Sequence, residues 1–171
     1  MHWWIGAFVK ILPAYLANTA PLVLLSLDRW GFLKRLARPL DGGRKLKDGR
    51  RVLGDGKTWL GLFAFPVFGV LVALALQWTG VHSWTSGLLL GFGAFLGDLG
   101  GSFIKRRRGM KRGSRAGLLD QVDFLTGAVL MSLPVFAWSL PELLLVFFAT
   151  PFAHRATNFI GYKLGMKDVP W

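Results

Sequence analysis

Cysteine is absent from this chain of 171 residues. Its absence excludes disulfide bonds, thiolate catalysis and cysteine-ligated metals. The N-terminal stretch also lacks the basic region and small-residue cleavage site of a secretory signal peptide, so we expect it to be a retained membrane span. No internal repeat suggests the paired halves of a transporter. The length is that of one domain.

Apolar and basic residues dominate what is present. Hydrophobic residues make up 53% of the chain, which exceeds an ordinary soluble domain and indicates a membrane protein. Lysine and arginine number 21 against nine acidic residues, giving a formal net charge of +12. In a soluble protein this excess would suggest nucleic acid, but in a membrane protein it indicates cytoplasmic loops and anionic ligands. We therefore expect no nucleic-acid partner.

Five apolar segments have about the 20 residues that a helix needs to cross a ~30 Å hydrocarbon core. They cover residues 3–27, 60–78, 84–103, 124–140 and 141–160. Very short connections predict two helical hairpins, the second of which turns at Ser139–Pro141. We expect one all-α, polytopic membrane domain over residues 1–171, with five transmembrane helices.

Basic residues mark the expected cytoplasmic side. Residues 28–59 contain ten of them and residues 104–122 contain seven. Lys10 stands alone near the opposite end of the first segment, where its side chain can extend to the interface. The positive-inside rule then places both long loops and the C-terminus in the cytoplasm, and the N-terminus outside.

The first basic loop ends in Gly-Asp-Gly-Lys-Thr, residues 54–58, which is similar to the end of a P-loop. A P-loop needs a glycine five residues before Gly56, where this chain has Arg51, and a parallel sheet for which the loop has no room. The local chemistry still suits phosphate, because Lys57 is a positive charge and Thr58 can cap an anion-favouring helix terminus. A solvated turn before a span is the plainer interpretation of this segment alone.

Three aspartates lie where acidic residues are costly. Asp98 is four or five residues from the cytoplasmic end of the third segment, where an ionisable group usually has a function, although a structural pair with arginine is the alternative. Asp120 and Asp123 share one helix face. Such a pair can hold Mg²⁺, although the helix dipole alone also favours acids there. Carboxylates for metal beside cations for phosphate are what phosphoryl or nucleotidyl transfer needs.

Other polar and small residues lie within the apolar segments. Three glycines have the spacing of closely packed membrane helices, and their smooth face would also admit a phosphate: Gly93, Gly97 and Gly101. Asn18 lies between Pro13 and Pro21, where we expect a kinked or locally unwound helix. Its side chain either bonds a freed carbonyl or lines a polar cavity. His154 and Asn158 share a helix face, and their role stays open.

Taken together, these stretches resemble one family, the archaeal CDP-archaeol synthases, which are CTP:2,3-di-O-geranylgeranylglycerol-1-phosphate cytidylyltransferases. The resemblance spans the chain through LPAYLANTAP, RPLDGGRKLKDGRRVLGDGKTWLG, GDLGGSFIKRRRG, LLDQVDFLTGA and HRATNFIGYKLGMKDVPW. The second half is also similar to a short form of the CDP-diacylglycerol synthase signature. The matching positions are Ser102, Lys105, Arg106, Asp120 and Asp123, with Gln121 in place of an arginine.

The resemblance implies cytidylyl transfer from CTP to an unsaturated ether-lipid phosphate, 2,3-bis-O-geranylgeranylglycerol 1-phosphate, with Mg²⁺ as cofactor. Metal ligation would fall to Asp98, Asp120 and Asp123. Phosphate charge would be neutralised by Lys57, Lys105 and Arg106, with Arg51 as a further candidate. The remaining CTP-site candidates are Asp55, Gly56, Thr58 and Asn18. The isoprenoid chains would lie in a groove between spans.

Two other functions fit the same residues less well. A CDP-alcohol phosphatidyltransferase needs an aspartate motif that begins Asp-Gly, but neither Asp41 nor Asp48 is followed by Ala-Arg at the required offset. A non-enzymatic channel or transporter would use Asp98 as a permeation-site carboxylate. The clustering of carboxylates and cations on one membrane face argues against a pathway across the bilayer.

Overall fold

The computed structural model describes residues 2–110, 117 and 119–166. Five helices lie in these ranges: α1 Trp3–Leu27, α2 Trp59–Ala75, α3 Trp84–Arg107, α4 Leu119–Ser132 and α5 Leu140–Lys163. Short 3₁₀ turns occupy Leu33–Arg35 and Gln77–Thr79. No β-strand occurs in the described ranges, which confirms the all-α prediction for them. Four of the predicted basic loop and tail residues lie outside these ranges: Lys111, Arg112, Arg115 and Lys167.

Side-chain caps explain where three of the helices begin. Thr58 accepts a hydrogen bond from the Gly61 N–H at 3.2 Å, so the predicted N-cap of α2 is confirmed. Ser83 forms a reciprocal capping box at the start of α3, and Ser139 forms another with Glu142 at the start of α5. These caps satisfy backbone donors that would otherwise lose hydrogen bonds near the membrane.

The helices have the apolar surfaces of a membrane protein. Among the described helices, α1, α3 and α5 are long and apolar enough to cross a bilayer, and α2 is a shorter apolar helix. Large apolar side chains point outward from α2 and α5, among them Phe63, Val67, Phe148 and Phe152. Outward apolar side chains of this size are stable when they face lipid rather than water.

Two helix predictions differ from the structure. The fourth helix occupies Leu119–Ser132 rather than residues 124–140, and residues 133–139 connect it to α5, so the predicted turn at Ser139–Pro141 is wrong. Apolar residues continue beyond Ser132, so hydropathy alone does not show where this helix ends. Helix α1 is continuous through Pro13 and Pro21, so the predicted local unwinding is also wrong. A proline removes one backbone donor, and a helix can tolerate this when neighbouring helices support it.

Glycines bring α3 unusually close to both neighbouring helices. On one face, a Cβ added at Gly87 or Gly91 would overlap the backbone of α2. On the other face, a Cβ at Gly93 or Gly97 would overlap the backbone of α4, where Gly127 reciprocates. The predicted close-packing face is therefore confirmed, and α3 is the central helix between α2 and α4.

An ion pair lies at the opposite end of the bundle from the basic loops. The Lys10 ammonium is 2.6 Å from the Glu142 carboxylate, and it also donates to the Ala137 carbonyl. From the sequence we expected the Lys10 side chain to extend to the interface, but it is held in this ion pair. The pair joins α1 to α5. Lys10 and Glu142 are 132 residues apart in the chain, so no local sequence pattern predicts that they meet.

The glycine contacts predict different stability effects for alanine at two positions of α3. Gly97→Ala should destabilise the protein by about 1–3 kcal/mol, because the new methyl group overlaps the Asp123 carbonyl. Gly100→Ala should be neutral or stabilising by up to about 1 kcal/mol, because no described atom beyond its chain neighbours and its own helical backbone lies within 4 Å of the added Cβ. Unfolding temperatures in detergent would measure both, and equal shifts would contradict this packing.

Candidate active site

The first basic loop, residues 28–58, is closed at its base. The Leu40 N–H donates to the Lys57 carbonyl at 2.7 Å, and the Trp59 N–H donates to the Arg38 carbonyl at 3.2 Å. These bonds hold the Gly-Asp-Gly-Lys-Thr segment at the N-terminus of α2. The segment predicted for phosphate binding is thus the rigid base of the loop rather than its tip.

Lys57 reaches from this base to α3. Its Nζ lies 2.5 Å from Asp98 Oδ2, and both side chains are largely buried. The structure therefore pairs Asp98 with a lysine, not with the arginine considered from the sequence. Lys57 of the loop, for which a solvated turn was the plainer interpretation, thus meets Asp98 within α3, the sharper of the two sequence signals.

A second lysine lies among the other two aspartates. Lys105 Nζ is 2.6 Å from Asp120 Oδ1 and 3.9 Å from Asp123 Oδ2. Asp123 is buried, and its Oδ1 accepts the N–H of Phe124 at 2.7 Å. Its carboxylate fits against α3 only because Gly101 has no side chain, since a Cβ there would overlap Oδ2. The close helix packing therefore makes room for this carboxylate.

The two ion pairs lie on neighbouring parts of α3. Asp123 packs against Gly97 and Gly101, the positions that flank Asp98 along that helix, and Lys57 pairs with Asp98 there. Nowhere in the described part of the chain are three histidine, aspartate or glutamate side chains grouped closely enough to hold a metal ion. The three predicted metal ligands are thus neighbours of lysines in this conformation and do not form one ligand cluster.

The remaining cationic candidates surround this centre. Arg51 is directed into the loop, where its guanidinium lies 2.6 Å from Asp41 and 2.8 Å from the half-exposed Asp55. The Arg106 side chain lies beside Gly54, close to the position that a Cβ would occupy there. Arg51 and Asp55 are therefore partners of each other, whereas Arg106 lies at the contact between the loop and α3.

A cavity of about 280 Å³ opens beside the Lys57–Asp98 pair. The loop base contributes Gly56, Lys57 and Thr58 to its wall, and α3 contributes Asp98. From the other side, the wall includes Asn18 of α1 and His154 and Asn158 of α5. Lys105, Arg106, Asp120 and Asp123 are not among the lining residues. The site thus has a polar cavity and an adjacent charged cluster, and Asp98 belongs to both.

The two α5 residues are ordered within this wall. Asn158 is buried, and its Nδ2 lies 3.2 Å from His154 Nδ1. The His154 ring in turn stacks near Phe124 of α4, with ring centroids 6.2 Å apart. The helix face predicted from their spacing is therefore directed at the cavity.

Two further cavity residues gave no signal in the sequence. Thr19 and Thr157 line the wall, and each hydroxyl also donates to a carbonyl of its own helix, at 2.9 and 3.0 Å. Threonine is common in membrane helices because it can form this local bond. Its presence in the sequence therefore does not indicate a site.

Known proteins match this chain along nearly its whole length. The family model described as CarS-like: CDP-archaeol synthase matches residues 4–171. A CDP-archaeol synthase of Thermococcus kodakarensis is 40% identical over 96% of this chain and 95% of the relative. One of Methanopyrus kandleri is 46% identical over 94% of this chain and 90% of the relative. A solved intramembrane enzyme for archaeal membrane lipids biosynthesis aligns with a TM-score of 0.72 and 38% identity, covering 91% of this chain and 94% of that one.

The local contacts predict opposite stability effects for two similar substitutions. Without nucleotide or divalent ions, Asp123→Asn should raise the unfolding temperature by about 2–4 °C, because it removes a buried charge whose nearest lysine is 3.9 Å away. Asp98→Asn should lower it, because it breaks the 2.5 Å pair and leaves Lys57 uncompensated. Thermal unfolding in detergent measures both, and a fall for Asp123→Asn would contradict this description.

Proposed function

The chain belongs to the CDP-archaeol synthase family, and we propose that the charged groups around Lys57 and Asp98 carry the reaction of that family. The protein transfers the cytidylyl group of CTP to an archaeal ether-lipid phosphate in membrane lipid biosynthesis. The observation that best supports the site is the meeting of Lys57 with Asp98 beside a polar cavity. Neither a phosphatidyltransferase nor a channel is favoured by the relatives.

The reaction brings two polyanions together. An oxygen of the lipid phosphate attacks the α-phosphorus of CTP, the bond from that phosphorus to the bridging oxygen of the β-phosphate breaks, and pyrophosphate leaves. The lipid phosphate is mostly dianionic near neutral pH, since its second pKa is about 6, so it needs no general base. The protein must instead reduce charge repulsion, and we assign this role to Lys57, Lys105 and Arg106.

The carboxylates fit a divalent metal that arrives with its nucleotide. Mg²⁺ is usually bound by one or two carboxylates together with substrate phosphates, so a preformed cluster of three protein ligands is not required. Asp123 packs against Gly97 and Gly101, which flank Asp98 in α3, and Asp120 lies across Lys105 from Asp123. When bound, Mg²⁺ would neutralise charge on the CTP phosphates. These three aspartates are therefore the proposed metal ligands.

The lysines have a second role in this proposal. Without nucleotide, Lys57 and Lys105 compensate carboxylates that would otherwise be unpaired and poorly solvated. With CTP and a metal bound, the carboxylates would face a cation and the ammonium groups would contact phosphate oxygens. The exchange keeps each charge compensated in both states.

The cavity provides the remaining contacts that we propose for CTP. Gly56, Thr58 and Asn18 line it, and Asp55 precedes Gly56 in the chain. Arg51 would act on this site mainly by its pairs within the loop. The isoprenoid chains of the lipid substrate would lie in a groove along the apolar outer faces of the helices, open to the membrane.

We further propose that five spans cross the membrane, with the N-terminus outside and both basic loops in the cytoplasm. The Lys57–Asp98 pair and the Lys10–Glu142 pair lie at opposite ends of the helix bundle, which supports this arrangement. Cytoplasmic CTP then has direct access to the loop base. The excess of basic residues in the loops agrees with the same orientation.

The absence of cysteine allows a direct test of orientation. Single cysteines at exposed Lys47, in the first loop, and exposed Gln77, at the end of α2, would be treated with a membrane-impermeant maleimide in intact cells. We expect labelling of Gln77→Cys in intact cells and of Lys47→Cys only after permeabilisation. The cysteine-free protein is the background control, and the reverse labelling pattern would overturn the orientation.

The activity itself is tested with purified protein, labelled CTP, Mg²⁺ and a geranylgeranyl ether-lipid phosphate. We expect label in the lipid phase and one pyrophosphate released per lipid product. Asp123→Asn should reduce the rate by about 100-fold or more, because metal and phosphate stabilisation are worth several kcal/mol.

The matched control is Asp28→Asn, which changes another loop carboxylate; among the described residues, its partners are the local backbone N–H groups of Phe32 and Lys34. It should retain most of the activity. No transfer of label with any divalent ion would exclude the cytidylyltransferase function. Full activity of Asp123→Asn would exclude that residue from the site.

A further inference from the structure

The first basic loop also contains the buried carboxylate of Asp41, to which no role in the reaction has been given so far. Its side chain is only 2% exposed. Oδ1 accepts from the Gly43 N–H at 3.1 Å and from Arg51 at 2.6 Å, while Oδ2 accepts from Arg51 at 3.3 Å and from the N–H groups of Leu53 and Gly54 at 3.0 Å each. An ionised carboxylate has about four lone-pair sites, so Asp41 is saturated and has no capacity left for substrate.

The bonds of Asp41 fix the backbone that leads to Lys57. Asp41 holds the amide of Gly54, and the Gly54 carbonyl accepts the Lys57 N–H at 3.3 Å. Leu40, the residue before Asp41, donates to the Lys57 carbonyl at 2.7 Å. The segment Leu40–Asp41 therefore fixes Lys57 from both sides of its peptide backbone.

The same contacts determine where two cationic side chains lie. Lys57 extends from the fixed backbone to Asp98, 2.5 Å away. Gly54 adopts a positive φ of 96°, and Arg106 lies beside it. A movement of Gly54 would displace the Lys57 backbone and the surface on which Arg106 lies.

We propose that Asp41 is a positioning residue for the cytidylyl transfer, which acts through Gly54 to place Lys57 and does not touch CTP itself. The inference rests on the proposed role of Lys57 at the phosphates. The pKa of Asp41 is held well below its usual range, chiefly by the hydrogen bond from Arg51, so the carboxylate stays charged at neutral pH. Uncharged replacements therefore remove an interaction that is always present in the active protein.

Asp41→Asn tests this role with little change of shape. The new NH₂ group faces N–H donors whichever way the amide turns, so at least one bond to Leu53, Gly54, Gly43 or Arg51 is lost. We expect kcat/KM for CTP to fall about 100-fold, as a displacement of a catalytic group by about 1 Å does. Asp28→Asn, which also removes a loop carboxylate, should keep most of the activity.

A double-substitution cycle separates positioning from general stability. Asp41→Asn should cost much less activity in a Lys57→Met background than in the wild-type protein, because both substitutions remove the same function. Independent, multiplicative losses would indicate a merely structural role and overturn the inference. Full activity of Asp41→Asn would overturn it as well. An inactive wild-type protein would instead refute the proposed function.

If Asp41→Asn yields no folded protein, Gly54→Ala tests the same connection without removing the charge. A side chain is strained at the positive φ of Gly54, so the path to Lys57 should shift. We expect a similar loss of kcat/KM and the same lack of additivity with Lys57→Met. Wild-type activity of Gly54→Ala, or multiplicative losses with Lys57→Met, would overturn the inference.

Discussion

The close approach of α3 to its neighbours is the constraint on which the rest of the structure depends. Glycines on two faces of α3 let the backbones of α2 and α4 come nearer than any side chain would allow. The N-terminus of α2 carries Lys57, α3 carries Asp98, and α4 carries Asp123. A bulkier α3 would separate these three groups, and the buried carboxylate beside Gly101 would have no place to lie.

Charge compensation explains how so many ionised groups can lie at this depth. Asp41, Asp98 and Asp120 each have an ammonium or guanidinium partner within 2.6 Å. Removing one partner of such a pair is costly. Paired charges of this kind would suit the metal–nucleotide complex that we propose as ligand, because that complex carries both signs of charge.

The first basic loop is more ordered than its composition indicates. It has few apolar residues, but its backbone amides are used by Asp41 and by the bonds between its two ends. The hydrogen bonds of the Asp41 carboxylate thereby order the loop backbone, which in other loops is often ordered by apolar packing. This arrangement uses Arg51 within the loop and directs Lys57 toward α3.

The sequence by itself determined the helical membrane class, the N-cap at Thr58 and the glycine face of α3, and it indicated the residues that we propose for nucleotidyl transfer. These depend on local composition and on periodicity along one helix. Tertiary structure alone decided that Asp98 pairs with Lys57, that Lys10 meets Glu142, and that Asn18 and Asn158 share one cavity. Such contacts join residues far apart in the chain, and they depend on how closely and at what height the helices pack, which no local pattern encodes.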